Sequence, residues 1–272
     1  MIVDIHTHTW QYPDHFTDDF RQQARTAKGG GDLDLTVTYE AYCAAALACD
    51  RTVVFGGKAR LSGLWVDDRY VAEYVAAHSD RCIGFLSVDP TQDGWEEEMR
   101  CGHRELGLQG IKLLPMYAGF YPHEERLDPL WRYAVEQDLP VLLHTGTTFV
   151  SQAPLDCTLP RHIDAVARRY PEARIVMAHL SHPYEGECVA VIRKHPNVYA
   201  EITFTTVTNR CIEFLVEATG EDRVVFGSDQ SMRDPRQQLG WVVWADLPVE
   251  TRHKVLGGNF QRILDRVRLP GP

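Results

Sequence analysis

One unit recurs along the chain: a short continuous apolar run, a polar turn, then a longer stretch with apolar residues three and four apart. The runs fall at 2–6, 51–56, 82–88, 108–114, 140–144, 173–179, 197–203 and 223–228. Runs this short and this uniformly apolar read as strands covered on both faces, which is the pattern of a parallel sheet. Helical stretches follow most of them, near 67–78, 95–106, 129–137, 160–170, 185–194 and 209–219, with further helical segments reaching residue 266. Eight strand–helix pairs in 272 residues predict an α/β fold made of one (β/α)8 TIM barrel, with 1–272 a single domain. The competing arrangement is an open doubly wound sheet. It is disfavoured because no Gly-x-Gly-x-x-Gly follows the first strand. The pattern lapses at about 9–36, a polar stretch that includes Gly29, Gly30 and Gly31 and reads as a long loop insertion; an alanine-rich helix over 38–49 follows it.

Composition narrows the partners. The formal charge is −10 and the basic residues are scattered, so neither nucleic acid nor an anionic membrane is an expected partner. No apolar run approaches the roughly 18 residues of a membrane span. The seven cysteines are dispersed, odd in number and without a Cys-x-x-Cys, which reads as free thiols rather than disulfides or a thiolate zinc site. With no leader-like segment ahead of the first strand, a cytoplasmic location is expected. The expected partner is a small-molecule substrate, with assembly into a homo-oligomer possible.

Chemistry enters at the strand ends. His6 and His8 are two apart, and on a strand residues i and i+2 share a face, so two imidazoles leave the first strand together. Lys112, His144, His179 and Asp229 each stand in or just beyond a later apolar run that has no local need for a polar group. In a barrel the active site lies at the C-terminal ends of the strands, and closure brings all six residues to one rim. Imidazole and carboxylate without thiolate suit Zn²⁺, Mn²⁺ or Fe²⁺. Three histidines and a carboxylate leave room for a water that the ion activates, and Asp229 fits both ligation and proton transfer.

The motifs Asp4-Ile5-His6-Thr7-His8, Gly110-Ile111-Lys112-Leu113, Leu142-Leu143-His144-Thr145-Gly146, Val176-Met177-Ala178-His179-Leu180, Val225-Phe226-Gly227-Ser228-Asp229 and Gly258-Asn259-Phe260 resemble the amidohydrolase superfamily, specifically its amidohydrolase-2 branch. The resemblance implies one divalent metal, zinc first and manganese or iron as alternatives, held by residues matching His6, His8, His144 and Asp229. It implies that His179 faces the substrate or polarises the attacking water. For Lys112 it implies a cation for a substrate oxygen, in contrast to the carbamylated bridge between two metals found in other branches.

The expected activity is that of a metal-dependent hydrolase. Activated water attacks the carbonyl of a small ester, lactone or amide, with Asp229 and His179 as catalytic residues. A metal-dependent non-oxidative decarboxylase on the same site is the alternative, and a non-catalytic metal-binding barrel a second one. The hydrolase is preferred because Gln230-Ser231-Met232-Arg233 replaces the aromatic–proline pair that follows the last aspartate in many decarboxylases, and because the chain opens with His-x-His rather than Glu-x-His. Lys112, His182 and Arg233 are the expected substrate contacts, and Trp10, Tyr117 and Phe149 are candidates for the pocket wall. His15, His78, His103, His123, His162, His195 and His253 read as solvated.

Overall fold

The structure, a computed structural model, describes residues 1–27, 35–203 and 208–269. Eight parallel strands follow one another in chain order: β1 (Val3–His8), β2 (Arg51–Phe55), β3 in two pieces (Cys82–Gly84 and Leu86–Ser87), β4 (Ile111–Leu113), β5 (Pro140–Leu143), β6 (Arg174–Met177), β7 (Val198–Glu201) and β8 (Val224–Val225). The ring closes through backbone bonds between β1 and the segment that continues β8. Ile5 N donates to Phe226 O (3.2 Å), Asp229 N to His6 O (2.7 Å) and His8 N to Gln230 O (2.6 Å). The predicted (β/α)8 barrel is therefore the fold.

Alternation along the strands sorts the core into two layers. Ile111 and Leu113, Val141 and Leu143, and Ile175 and Met177 pack outward under the helices. Val3, Ile5, Val53, Phe55, Phe85, Leu142, Val176 and Val225 fill the barrel interior together with Phe260 and Ile263. Each such buried side chain contributes about 1.5–3 kcal/mol. The outer layer is carried by α3 (Asp68–Ala77), α4 (Trp95–Arg104), α5 (Asp128–Glu136), α6 (Pro160–Arg169), α7 (Glu185–Lys194), α8 (Cys211–Thr219) and α9 (Pro235–Val243). Two of these starts have a side-chain reason: Asp67 and Asp234 accept the backbone N–H of Arg69 and Arg236. No helix among the described residues is long and apolar enough to cross a membrane.

Three expectations need correction. The stretch expected as a loop over 9–36 contains α1 (Asp18–Ala27), which buries Phe20 and Ala24; Gly29–Gly31 lie outside the described residues. The helix expected over 38–49 is α2 (Tyr39–Ala45), capped by Thr38. Among the histidines expected to be solvated, His103 is buried on α4, where it meets Tyr133 Oη at 2.8 Å and Arg268 O at 3.0 Å. His195 is likewise buried, 2.7 Å from Asp164. All seven cysteines are free, as expected.

Candidate metal centre and active site

Strict alternation from Val3 and Ile5, both in the barrel interior, would turn His6 and His8 outward toward the helices. The pairing of β1 with β2 shifts register between Asp4 and Thr7. That bulge re-aims the strand, so both imidazoles enter the barrel mouth. Asp4 points away from them and accepts Ser228 N (3.0 Å) and the Ser228 hydroxyl (2.6 Å), which ties β1 to the turn carrying Asp229. His179 and Asp229 reach the mouth by another route. Both have left-handed backbones, with φ of 60° and 61°. Such strain in non-glycine residues clusters at functional sites.

Two glycines make this packing possible. A Cβ on Gly146, whose φ is +92°, would stand 2.2 Å from His182 O. One on Gly227 would stand 2.5 Å from Glu201 Oε1 and 2.8 Å from His6 Cβ.

The contacts assign protons to the rings. His8 Nδ1 lies 3.2 Å from Gly56 O, which can only accept, so Nδ1 carries the hydrogen. His8 Nε2 then presents a lone pair to Asp229 Oδ1 at 3.2 Å. His6 Nδ1 meets Glu201 Oε2 at 3.0 Å, while its Nε2 lies 3.2 Å from Lys112 Nζ and 3.5 Å from Asp229 Oδ1. Ligand atoms of His6, His8 and Asp229 thus converge to within 4.8 Å of one another. Two imidazole lone pairs facing a carboxylate oxygen call for a cation between them, so this donor set fits a divalent metal.

His144 is placed one ring further on. Its Nδ1 lies 3.1 Å from His179 Nε2 and its Nε2 lies 3.0 Å from Thr147 O, so it stands outside the group formed by His6, His8 and Asp229.

Electrostatics follow from burial. His6, His8 and His179 are held below the ordinary imidazole value by desolvation, and His144 is pushed down to about 3 by the same cause. All four are neutral at pH 7. Burial works to raise the Asp229 carboxyl, but the charge of the cluster around it, the Lys112 ammonium included, outweighs burial and holds Asp229 below the carboxylate range. Lys112 is fully buried over the Phe55 ring, 4.6 Å from its centre, and desolvation lowers it to about 8.

Glu201, at the end of β7, escaped the sequence reading. It is fully buried, and desolvation raises it to about 7. Besides His6 Nδ1 it accepts Thr203 N (2.5 Å), His179 N (3.2 Å) and the Thr203 hydroxyl (2.6 Å). Thr203 Oγ1 lies in turn 2.8 Å from His179 Nδ1. The criterion that singled out Lys112, a charge at the end of an apolar run, applies equally to Glu201. Ligand atoms of His6, His179 and Glu201 also fall within 4.8 Å of one another. Their contacts are hydrogen bonds already supplied by two amides and a hydroxyl, so this group orients rather than ligates.

Above the cluster opens a cavity of about 480 Å³. Lys112, His144, His179, His182, Asp229 and Arg233 all border it, and its walls are aromatic and apolar: Trp10, Phe20, Tyr117, Phe149, Leu114 and Met232. Helix α1 supplies Phe20, whose ring meets Phe149 at 5.4 Å, and is latched by Ser151 N donating to Gln23 Oε1 at 2.6 Å.

The family model described as amidohydrolase matches residues 3–266. The chain belongs to the amidohydrolase family. Enzymes of this family depend on a metal, so this chain is a metal-dependent enzyme. No curated protein matches it. Among solved structures, an uncharacterized TIM-barrel protein from Bordetella bronchiseptica is 21% identical, with 97% of this chain and 98% of that chain covered and a TM-score of 0.77. A 5-carboxyvanillate decarboxylase from Novosphingobium aromaticivorans, complexed with manganese and 4-hydroxy-3-methoxy-5-nitrobenzoic acid, is 16% identical over 97% of this chain and 96% of that chain, TM-score 0.74. A 2,6-dihydroxybenzoate decarboxylase from Rhizobium is 15% identical over 97% and 99%, TM-score 0.73.

Proposed function

We propose that this amidohydrolase-family enzyme is a non-oxidative decarboxylase of a small hydroxylated aromatic acid. The observation that carries the reading is the cavity. It sets flat aromatic walls over a floor holding Lys112, His8 and Asp229, with His6 converging on the last two from beneath, which suits a planar ring with an anionic end. The two decarboxylases similar in fold act on ring acids of this kind by their names, and this favours the reading over the hydrolase expected from the residues after Asp229. Hydrolysis of an ester or lactone stays as the second reading, supported by the His-x-His opening of the chain.

In this reading His6, His8 and Asp229 would hold one divalent ion, and His144, expected as a fourth ligand, stands outside that group and borders the cavity beside it. Manganese is the first to test and zinc the next, since imidazole and carboxylate accept both. When bound, the ion supplies a Lewis acid that anchors substrate oxygens. The protein's own groups do the rest. Lys112, as a buried ammonium, neutralises the phenolate or carboxylate oxygen nearest it. Asp229 takes the proton of the ring hydroxyl and passes it to the carbon that bears the carboxylate. The carbon–carbon bond then breaks, its electron pair returns to the ring and CO₂ departs. The phenolate left behind takes one proton from solvent. His179 and His182 border the same cavity and bind the departing carboxylate, while Trp10 and Phe20 keep water from the ring.

The test is a panel of hydroxybenzoates, aryl esters and lactones assayed with manganese or zinc. Loss of the carboxyl group with incorporation of one solvent deuterium at the ring carbon is expected. Turnover confined to esters or lactones overturns the decarboxylase.

A further inference from the structure

We propose that Glu201 and Thr203 form one positioning pair that sets two site imidazoles at once, His6 directly and His179 through the Thr203 hydroxyl. The argument rests on which atoms can donate. Lys112 Nζ can only donate to His6 Nε2, at 3.2 Å, so the hydrogen of a neutral His6 sits on Nδ1 and points to Glu201 Oε2, at 3.0 Å. The two contacts, on opposite sides of the ring, require the same tautomer. That tautomer leaves the Nε2 lone pair toward Asp229, as a ligating histidine needs.

The same carboxylate oxygen receives the Thr203 hydroxyl at 2.6 Å and the His179 backbone N–H at 3.2 Å. Thr203 Oγ1 stands at the same time 2.8 Å from His179 Nδ1, so the hydroxyl links that ring to the carboxylate. Glu201 therefore holds the main chain of His179 directly and its ring through one intermediary. The other oxygen accepts Thr203 N at 2.5 Å, which locks Thr203 to the carboxylate it serves. There is no slack in the arrangement. Glu201 and Thr203 are wholly buried, and the backbone of Gly227 packs so near that a Cβ there would stand 2.5 Å from Glu201 Oε1. Neither residue borders the cavity, so they act through His6 and His179 and not on substrate.

The experiment uses the full chain as wild type, Glu201→Gln, Thr203→Val, Thr203→Ser and, as a ligand-loss control, His8→Ala. Mn²⁺ affinity is measured by calorimetry, imidazole tautomers by long-range nitrogen–proton spectra of metal-free protein labelled at histidine, and kcat and KM on whichever substrate the panel yields. Wild type should show His6 protonated at Nδ1. Glu201→Gln should lose that signature and bind Mn²⁺ about 10–100-fold more weakly, while His8→Ala loses binding outright. Thr203→Val should keep Mn²⁺ affinity within about threefold, shift the His179 Nδ1 resonance, and lower kcat about 10–100-fold with KM held within about threefold; Thr203→Ser should restore most of both.

Three results overturn the proposal: wild-type affinity and an unchanged His6 tautomer in Glu201→Gln, loss of metal in Glu201→Gln as complete as in His8→Ala, which would make Glu201 a ligand, or Thr203→Ser as impaired as Thr203→Val. If Glu201→Gln fails to fold, the two Thr203 variants decide. Only the kinetic readout rests on the decarboxylase reading. Should no substrate turn over, that reading fails while affinity and tautomer still judge the positioning pair.

Discussion

The indole of Trp10 lies flat on the imidazole of His8, with ring centres 4.1 Å apart and planes 10° apart. The Phe55 ring meets His8 edge-on at 4.9 Å, and Gly56 O holds its Nδ1, so the imidazole is fixed on three sides before any ion arrives. Trp10 is itself pinned, its Nε1 donating to Ser231 Oγ at 3.2 Å. Trp10→Ala should cost about 3–5 kcal/mol of stability by the cavity it leaves. It should also weaken metal binding about tenfold or more, because His8 gains freedom that binding must then remove. Trp10→Phe keeps a stacking ring and should recover most of the metal affinity. Denaturant melts paired with metal calorimetry check this; an unchanged affinity in Trp10→Ala means the stack serves only the core.

Metal content is the second expectation. Protein expressed with added manganese or zinc should hold about one divalent ion per chain, since the convergent donors of His6, His8 and Asp229 describe one site. His6→Ala or His8→Ala should lower the occupancy with the circular dichroism spectrum unchanged, because rim residues serve function more than the core. Elemental analysis finding no metal in wild type after supplementation contradicts the site, and two per chain contradicts its being mononuclear.

Lys112 separates two further arrangements. Its Nζ is buried 3.2 Å from His6 Nε2, among the groups that would surround the ion. As an ammonium it is a point charge for a substrate oxygen. Lys112→Ala should then keep the metal and lose rate and substrate affinity, about 100-fold or more in kcat/KM. Were Lys112 a carbamylated bridge, the variant would lose a second ion, and added acetate or propionate would restore part of the activity. Metal stoichiometry with activity measured in the presence and absence of propionate distinguishes them; retained metal without rescue is the expected result.

How much of this could be read from the chain is itself a physical question. Lys112, His144, His179 and Asp229 are legible because a polar group ending an apolar strand has no local purpose, and barrel closure supplies the purpose. Glu201 obeys the same rule and was there to be read. The inward aim of His6 was not, since alternation from Val3 and Ile5 predicts the opposite face and only the register shift against β2 reverses it. The left-handed turns at His179 and Asp229 carry no glycine to announce them. Helix α1 hides because it buries little besides Phe20 and Ala24, one thin stripe on an otherwise polar segment. His103 looks like one more polar residue of a charged helix; its partners, Tyr133 and Arg268, lie 30 and 165 residues away, so no local pattern marks it as buried.

The last expectation concerns stability far from the site. Asp138 closes the turn after α5 with a left-handed backbone, φ 56°. Its carboxylate accepts Arg174 Nη1 at 2.5 Å, and Arg268 Nε stands 3.4 Å away. Burial works to raise the Asp138 carboxyl, but the hydrogen bond and charge of Arg174, with Arg266 and Arg268 behind it, outweigh burial and hold it below the ordinary value of 3.8. A carboxyl lowered by folding stabilises the native state at pH values above the unfolded value, and that contribution fades as pH falls through the folded one. Asp138→Asn removes the charge while keeping the shape, and asparagine tolerates the left-handed backbone as aspartate does. The variant should be less stable than wild type by about 1–2 kcal/mol at neutral pH, the scale of a hydrogen bond to a charged group. The gap should narrow at acid pH, as pH falls below 3.8 and through the lower folded value, where wild type gives up the same charge by protonation. Urea denaturation of both proteins at neutral and acid pH measures it. A gap that stays constant with pH would assign the effect to the loss of shape or of the local turn, not to the charge on Asp138.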